Sequence, residues 1–110
     1  YTPRTVVTGY NGNTETPKQF TLGQNYPNPF NPSTSIKYSV AKNNTTVKLA
    51  VYDVTGKMVA ELVNKQVNTG SYEVKFDASA LASGIYIYRI EARDKDGVTF
   101  TESKKMALIK

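Results

Sequence analysis

The amino-acid sequence predicts an all-β chain, an immunoglobulin-like antiparallel β-sandwich of about seven strands with an extended Pro-rich N-terminal arm. Three observations carry this. Apolar and polar residues alternate with a period of two through most of the chain, as half-buried antiparallel strands require. Turn residues punctuate the alternation, and Gly56, Gly70, Gly84 and Gly97 lie 14, 14 and 13 residues apart, a spacing of successive hairpins. All five prolines (Pro3, Pro17, Pro27, Pro29 and Pro32) fall in the first 32 residues. Proline supplies no ladder donor, so the proline-free remainder is where interior strands belong.

Taken in order, residues 1–19 read as a polar arm or linker and residues 20–110 as the sandwich. Phe20 and Leu22 precede the dense run Asn25-Tyr26-Pro27-Asn28-Pro29-Phe30-Asn31-Pro32. Each residue before a proline is pushed towards extended conformations, which makes this stretch a stiff, kinked arm. Tyr26 and Phe30 are expected to anchor it along the domain. Strands are predicted at 34–41, where Ile36, Tyr38 and Val40 alternate with Ser35, Lys37 and Ser39, and at 46–54 around Val47, Leu49 and Val51. A third at 57–63 is less distinct, because Met58–Val63 also fits a helical turn. Tyr72, Val74 and Phe76 mark a strand at 71–77, and Tyr86, Tyr88, Ile90 and Ala92 mark one at 85–93. The last two are placed at 98–103 and 104–109. Between strands, Asn43-Asn44, Thr55-Gly56, Thr69-Gly70, Ser83-Gly84 and Asp96-Gly97 supply positive φ or side-chain caps. Asp77–Leu81 reads as a short capped turn that plugs Leu81 into one end of the core.

The composition excludes much. The chain has 110 residues, no His, no Cys and no Trp, with eight Tyr and four Phe. One domain of this size buries roughly 65% of its unfolded surface. Without His or Cys the usual general base, thiol nucleophile and soft metal ligands are missing. The net charge of +5 divides into +1 over residues 1–33 and +4 over residues 34–110. Lys37, Lys48, Lys75, Arg89 and Arg93 are interleaved with apolar residues, the pattern of solvated strand faces, so no nucleic acid is expected as a partner. No apolar run approaches the ~18 residues of a membrane helix, so no membrane-spanning segment is expected. A start at Tyr1 without a charged-then-apolar leader reads as a processed product or a piece of a longer polypeptide.

Candidate chemistry is sparse. Asp53 and Asp77 end predicted strands, where a carboxylate caps turn amides more readily than it performs acid–base work. Asp94-Lys95-Asp96-Gly97 has part of a calcium-loop pattern but lacks its third oxygen ligand, and reads as a surface turn. Serines and threonines have neither a base nor a nucleophile elbow. No enzyme activity, cofactor or metal is expected. Tyr86 or Tyr88 is a candidate corner tyrosine, its hydroxyl bonded to backbone. The run Lys104-Lys105-Met106-Ala107-Leu108-Ile109-Lys110 reads either as an edge strand guarded by lysines or as a tag read by strand addition to its edge.

Five blocks together resemble the C-terminal sorting domain of type IX secretion (the Por secretion system, type A). Phe20–Gln24 with Asn25–Ile36 resembles its opening. Val47–Lys57, with Asp53 and Gly56, resembles the next block. Gly70–Asp77 and Leu81–Arg89 follow, and Lys104–Lys110 is similar to the closing one. Phe76 stands where many relatives have Trp. A related immunoglobulin-like sandwich occurs in the flagellar hook-cap protein domain. The resemblance implies a bacterial protein of Bacteroidetes type that passes through the periplasm to be secreted or held at the cell surface. Its implied partners are the outer-membrane translocon and a sortase-like peptidase. Carried over residue by residue, Gly84, Tyr86, Lys104, Lys105, Met106 and Lys110 are the recognition candidates. Asn25, Pro27, Asn28, Pro29, Phe30, Asn31, Pro32, Asp53, Gly56, Gly70 and Asp77 form the structural motif.

Two other readings stand beside this one. Thr5-Val6-Val7-Thr8 has the β-propensity to pair with a sheet edge, on its own domain or on a neighbouring subunit. The second case gives a homo-oligomer through the N-terminal arm and, repeated, a fibre-type structural subunit. A weaker alternative is a carbohydrate-binding module that stacks sugars on tyrosines.

Overall fold

The computed structural model describes residues 4–6 and 17–110. Eight strands, β1 (Arg4–Val6), β2 (Thr21–Leu22), β3 (Ser33–Val40), β4 (Thr45–Tyr52), β5 (Met58–Val67), β6 (Gly70–Asp77), β7 (Gly84–Arg93) and β8 (Thr99–Leu108), form two antiparallel sheets. The first sheet has the order β1-β6-β3-β2 and the second β5-β4-β7-β8. This is the expected all-β sandwich. Its core lies where the predicted alternation placed it. Ile36, Val40, Val47, Leu49, Val51, Val74, Tyr88 and Ile90 are buried between the sheets, and their neighbours at the other parity face outwards. Burying one such aliphatic side chain contributes roughly 1.5–3 kcal/mol, which is why a one-residue slip in register is not tolerated.

The structure departs from the predicted elements in four places. Residues 98–103 and 104–109 are one strand, β8, which pairs with β7 without interruption from Arg93↔Thr99 to Gly84↔Leu108. The segment that also fitted a helical turn is β5, extending to Val67. Its pairing with β4 shifts twice, at Leu49/Ala50 and at Val51/Tyr52. These bulges leave Leu62 and Val59 without opposing residues and strengthen the local twist of an edge strand. β2 was not among the predicted strands, whereas β1 overlaps the Thr5–Thr8 stretch expected to pair with a sheet edge. β1 lies antiparallel on β6 of its own chain, from Arg4↔Glu73 to Val6↔Ser71. Val7 and Thr8, with the rest of residues 1–3 and 7–16, lie outside the described residues. Finally, Phe30 is an anchor at 2% exposure but Tyr26 is not, at 81%.

The turns carry the expected caps. Asn44 adopts a positive φ of 57°, and the β3–β4 and β5–β6 turns clasp one another. Asn43 Oδ1 accepts from the Thr69 amide at 3.0 Å, and Asn68 Oδ1 from the Asn44 amide at 3.3 Å. After β6, Leu81 N donates to Ala78 O at 2.9 Å, and Leu81 packs against the core.

Candidate functional site

The candidate residues meet along β8 and the arm that covers it. β2 pairs with β3 from Thr21↔Ser39 to Leu22↔Tyr38, and the chain then leaves the first sheet for the edge of the second. Gln24 Nε2 donates to Lys105 O at 2.9 Å, and Asn28 Oδ1 accepts from the Ala107 amide at 3.0 Å. Phe30 forms a parallel bridge with Leu108. There Phe30 N donates to Ala107 O at 2.9 Å and Ile109 N to Phe30 O at 3.0 Å. The Lys105 and Ala107 carbonyls and the Ala107 and Ile109 amides on this edge are therefore already hydrogen-bonded. A receptor adding a strand at that point has to displace the arm. Lysine alone does not guard this edge.

Buried polar groups hold the arm in place. Asn25 is 2% exposed. Its Nδ2 donates to Pro27 O at 3.1 Å and to Thr34 Oγ1 at 3.0 Å, and its amide donates to Tyr88 Oη at 2.8 Å. Thr34 Oγ1 in turn donates to Pro27 O at 2.9 Å. Tyr88 Oη donates to Gly23 O at 2.7 Å. Tyr26 makes a two-way backbone bridge with Ser35. The Tyr26–Pro27, Asn28–Pro29 and Asn31–Pro32 bonds are cis. Pro29 and Asn31 are exposed, whereas Pro32 O accepts from the Ala78 amide at 2.9 Å. Both tyrosine candidates bond backbone. Tyr86 Oη donates to Ala82 O at 2.6 Å, four residues upstream, as a corner tyrosine does. Burial pushes the Tyr88 hydroxyl up to about 12, against the lowering effect of the Asn25 amide and with a small push from Glu102.

Four of the six recognition candidates gather where β7 begins and β8 ends. Gly84 lies opposite Leu108 and Tyr86 opposite Met106. Met106 is 1% exposed, a core residue. Lys110 N donates to Ser83 Oγ at 3.0 Å and Lys110 Nζ to Ser79 O at 2.6 Å, closing the same end. The two adjacent lysines diverge. Lys104, opposite Tyr88, lies on the inward parity and pairs with Glu102 at 3.3 Å. Lys105, opposite Ile87, is exposed on the outer face of the second sheet.

The aspartates are structural caps. Asp53 Oδ1 accepts from Thr55 Oγ1 at 2.6 Å and from the amides of Thr55 and Lys57 at 2.9 and 3.1 Å. The Thr55 hydroxyl, followed by these amides, holds its carboxyl below the usual carboxylate range. The turn closes through Gly56 N donating to Asp53 O, with Gly56 at φ 89°. Gly70 opens β6 opposite Val40. Asp77 Oδ1 accepts from the Ser79 amide at 2.9 Å, the main reason its carboxyl is also lowered. Asp94 is the cap that the calcium-loop comparison passed over. Its side chain is 1% exposed and faces Lys42 Nζ at 3.5 Å. Its Oδ1 accepts from the Asp96 and Val98 amides at 2.9 Å. Burial alone would raise this carboxyl, but the two amides and the Lys42 ammonium outweigh it and hold it low. Among the described residues no group of three or more Asp or Glu converges as a metal site.

With the geometry in place, comparison with known proteins decides the family. A family model described as "Secretion system C-terminal sorting domain" matches residues 24–105. The chain belongs to this family. A type IX sorting domain marks its protein for export to the cell surface or outside, and interaction with the secretion machinery follows. The match stops at Lys105, short of Met106 and Lys110, and the recognition role of all six candidates rests on the residue-by-residue resemblance alone. No curated protein matches the chain. The sandwich is similar to the crystal structure of CopC from Methylosinus trichosporium OB3b, with a TM-score of 0.51 and 17% identity, over 82% of this chain and 93% of that one. At that identity the likeness shows the fold alone. No helix among the described residues is long and apolar enough to cross a membrane.

The sequence did not single out Gln24 or Thr34. Nothing in composition marks a glutamine that will reach a strand 81 residues away, or a threonine buried at 1% exposure beside an asparagine.

Proposed function

We propose that residues 20–110 act as a non-catalytic address read by the outer-membrane translocon, and that a sortase-like peptidase then attaches the cargo at the cell surface. The observation that carries the reading is the family match over residues 24–105. The fold gives it a physical form. The closing block Lys104–Lys110 is held as an ordered strand by β7 on one side and by the Asn–Pro arm on the other. Gly84, Tyr86 and Lys110 support its far end, with Met106 locking it to the core. Such a strand offers a receptor a rigid, pre-ordered feature and spares it the entropy of ordering a loose tail. The carboxylates serve as caps, which fits a module that performs no chemistry.

The test is a periplasmic reporter fused to this chain in a bacterium with the secretion system. Removing Lys104–Lys110 is expected to abolish surface delivery. Because Met106 and Leu108 are core residues, a Lys105→Ala, Lys110→Ala double variant is run beside it, and it is expected to reduce delivery without unfolding the sandwich. Normal delivery by the deleted chain would refute the address.

A further inference from the structure

The two outer faces of the sandwich are unlike. On the first sheet β3 turns Ser35, Lys37 and Ser39 outwards, the polar face expected of a half-buried antiparallel sheet. The second sheet breaks this rule at one end. A cross-strand row there runs Met58, Tyr52, Ile87, Lys105 across all four strands. Ile85 lies opposite Ala107 in the adjoining row. Ile85 is 47% exposed, Met58 40% and Val54 72%. Apolar side chains gathered this way on a solvent-facing sheet mark an interaction site.

The patch also has a shape and a charge. A shallow concavity of about 300 Å³ is walled by Tyr52, Asp53, Val54, Ile87, Arg89 and Ser103. The Arg89 guanidinium lies over the Tyr52 ring, 5.2 Å from its centroid. Glu91 is paired with Arg89 at 3.2 Å, and the Asp53 carboxylate is offset by the Lys57 charge of its own turn, so the cation left at this border is Lys105. Among the described residues no carboxylate pairs with Lys105. Apolar walls with a cationic rim complement an apolar anchor flanked by carboxylates.

We infer that this face docks a protein component of the export machinery that lays an apolar, aromatic or aliphatic side chain against Tyr52 and Ile87 and sets an acidic residue against Lys105. The inference rests on the export reading above and adds the face and chemistry of the contact. It lies beside the closing block, since Ile87 and Lys105 are directly opposed.

The test uses the full chain fused to the periplasmic reporter, with the single variants Ile87→Asp and Lys105→Glu and, on the polar face, Ser39→Asp. Loss of a central anchor typically costs about tenfold or more in binding. Ile87→Asp and Lys105→Glu are therefore each expected to cut surface delivery about tenfold, with Ser39→Asp unchanged. Thermal unfolding of each purified variant confirms that the sandwich is intact, and should Ile87→Asp fail to fold, Lys105→Glu carries the test. Unimpaired delivery by a folded Ile87→Asp or Lys105→Glu chain overturns the inference. If removal of Lys104–Lys110 still abolishes delivery in that case, the export reading survives without it. Normal delivery by that deletion overturns the export reading itself. Sedimentation of the purified chain gives the remaining outcome: a dimer that Ile87→Asp dissolves assigns the face to a second copy and overturns the proposal.

Discussion

Exchanging Tyr88 or Tyr38 for phenylalanine deletes the same atom from two buried rings, with opposite consequences. Tyr88 is fully buried, and its hydroxyl donates to Gly23 O at 2.7 Å while accepting from Asn25 N at 2.8 Å. Tyr88→Phe leaves an amide and a carbonyl of the arm without that partner. A hydrogen bond nets about 1 kcal/mol, and orphaning a buried group costs about 1–3 kcal/mol. Gly23 is partly accessible and its carbonyl can turn to water, but Asn25 is 2% exposed and its amide cannot. The expected loss is therefore about 2–3 kcal/mol. Tyr38 is likewise buried, but among the described residues its hydroxyl has no hydrogen-bond partner. Its ring stacks on Tyr72 at 5.3 Å, a contact that phenylalanine keeps. Tyr38→Phe is therefore expected to be neutral or to stabilise by about 1 kcal/mol, because it removes a desolvated hydroxyl. Urea unfolding followed by circular dichroism reads both, with equal m-values showing that the native and unfolded states are comparable. The reasoning is refuted if Tyr88→Phe lies within about 0.5 kcal/mol of the parent, or if Tyr38→Phe is as damaging as Tyr88→Phe.

Other outcomes follow from the same contacts. Phe30 is 2% exposed and lies 6.2 Å from the Phe76 ring, so Phe30→Ala is expected to cost about 3–5 kcal/mol, read as a fall in thermal midpoint. Gly56 sits at φ +89° with nothing within 4 Å of an added Cβ, so Gly56→Ala costs backbone strain alone, about 1 kcal/mol, in the same assay. At alkaline pH the Tyr88 hydroxyl is raised from 10.0 to about 12. Its contribution is whole below pH 10 and is lost as pH rises towards 12. Tyrosinate absorbance and circular dichroism should therefore change together in that window, and Tyr88→Phe should blunt the transition. On the acid side Asp53, Asp77 and Asp94 are lowered from 3.8. Their caps stabilise above that value and are lost as pH falls below it, and Asp94→Asn should flatten part of the acid limb.

The strands were legible wherever one parity was uniformly apolar, as in β3, β4, β6 and β7. β8 read as two pieces because Glu102 and Lys104 occupy its inward parity, at the open margin where they pair with each other. The period-two signal lapses there although the ladder does not. β5 was ambiguous for another reason: its bulges at Val59 and Leu62 break the alternation itself. β2 is two residues long, too short for any period to register. At the site, the Asn–Pro run was readable as a stiff arm, and Asp53 and Asp77 as caps, because those are local consequences of residue type. That the arm lies on β8 was not readable, since Gln24, Asn28 and Phe30 find their partners only through the tertiary fold. Tyr26 misled for a related reason. Proline spacing predicts an extended chain but not which of two neighbours faces inwards, and Asn25 takes the buried place.

The bonds that strap the arm to β8 join residues 79 and 81 positions apart, so the sandwich is knitted shut by contacts of the highest sequence separation. Folds dominated by such contacts form slowly, because loop-closure entropy is spent before they reward it. Synthesis delivers the arm before β3–β7 and its partner strand β8 after them. A chain that stops short of β8 leaves Gln24, Asn28 and Phe30 nothing to hold, and Tyr88 an open flank. A polypeptide truncated before β8 is therefore expected to leave the arm unstrapped and this surface unformed.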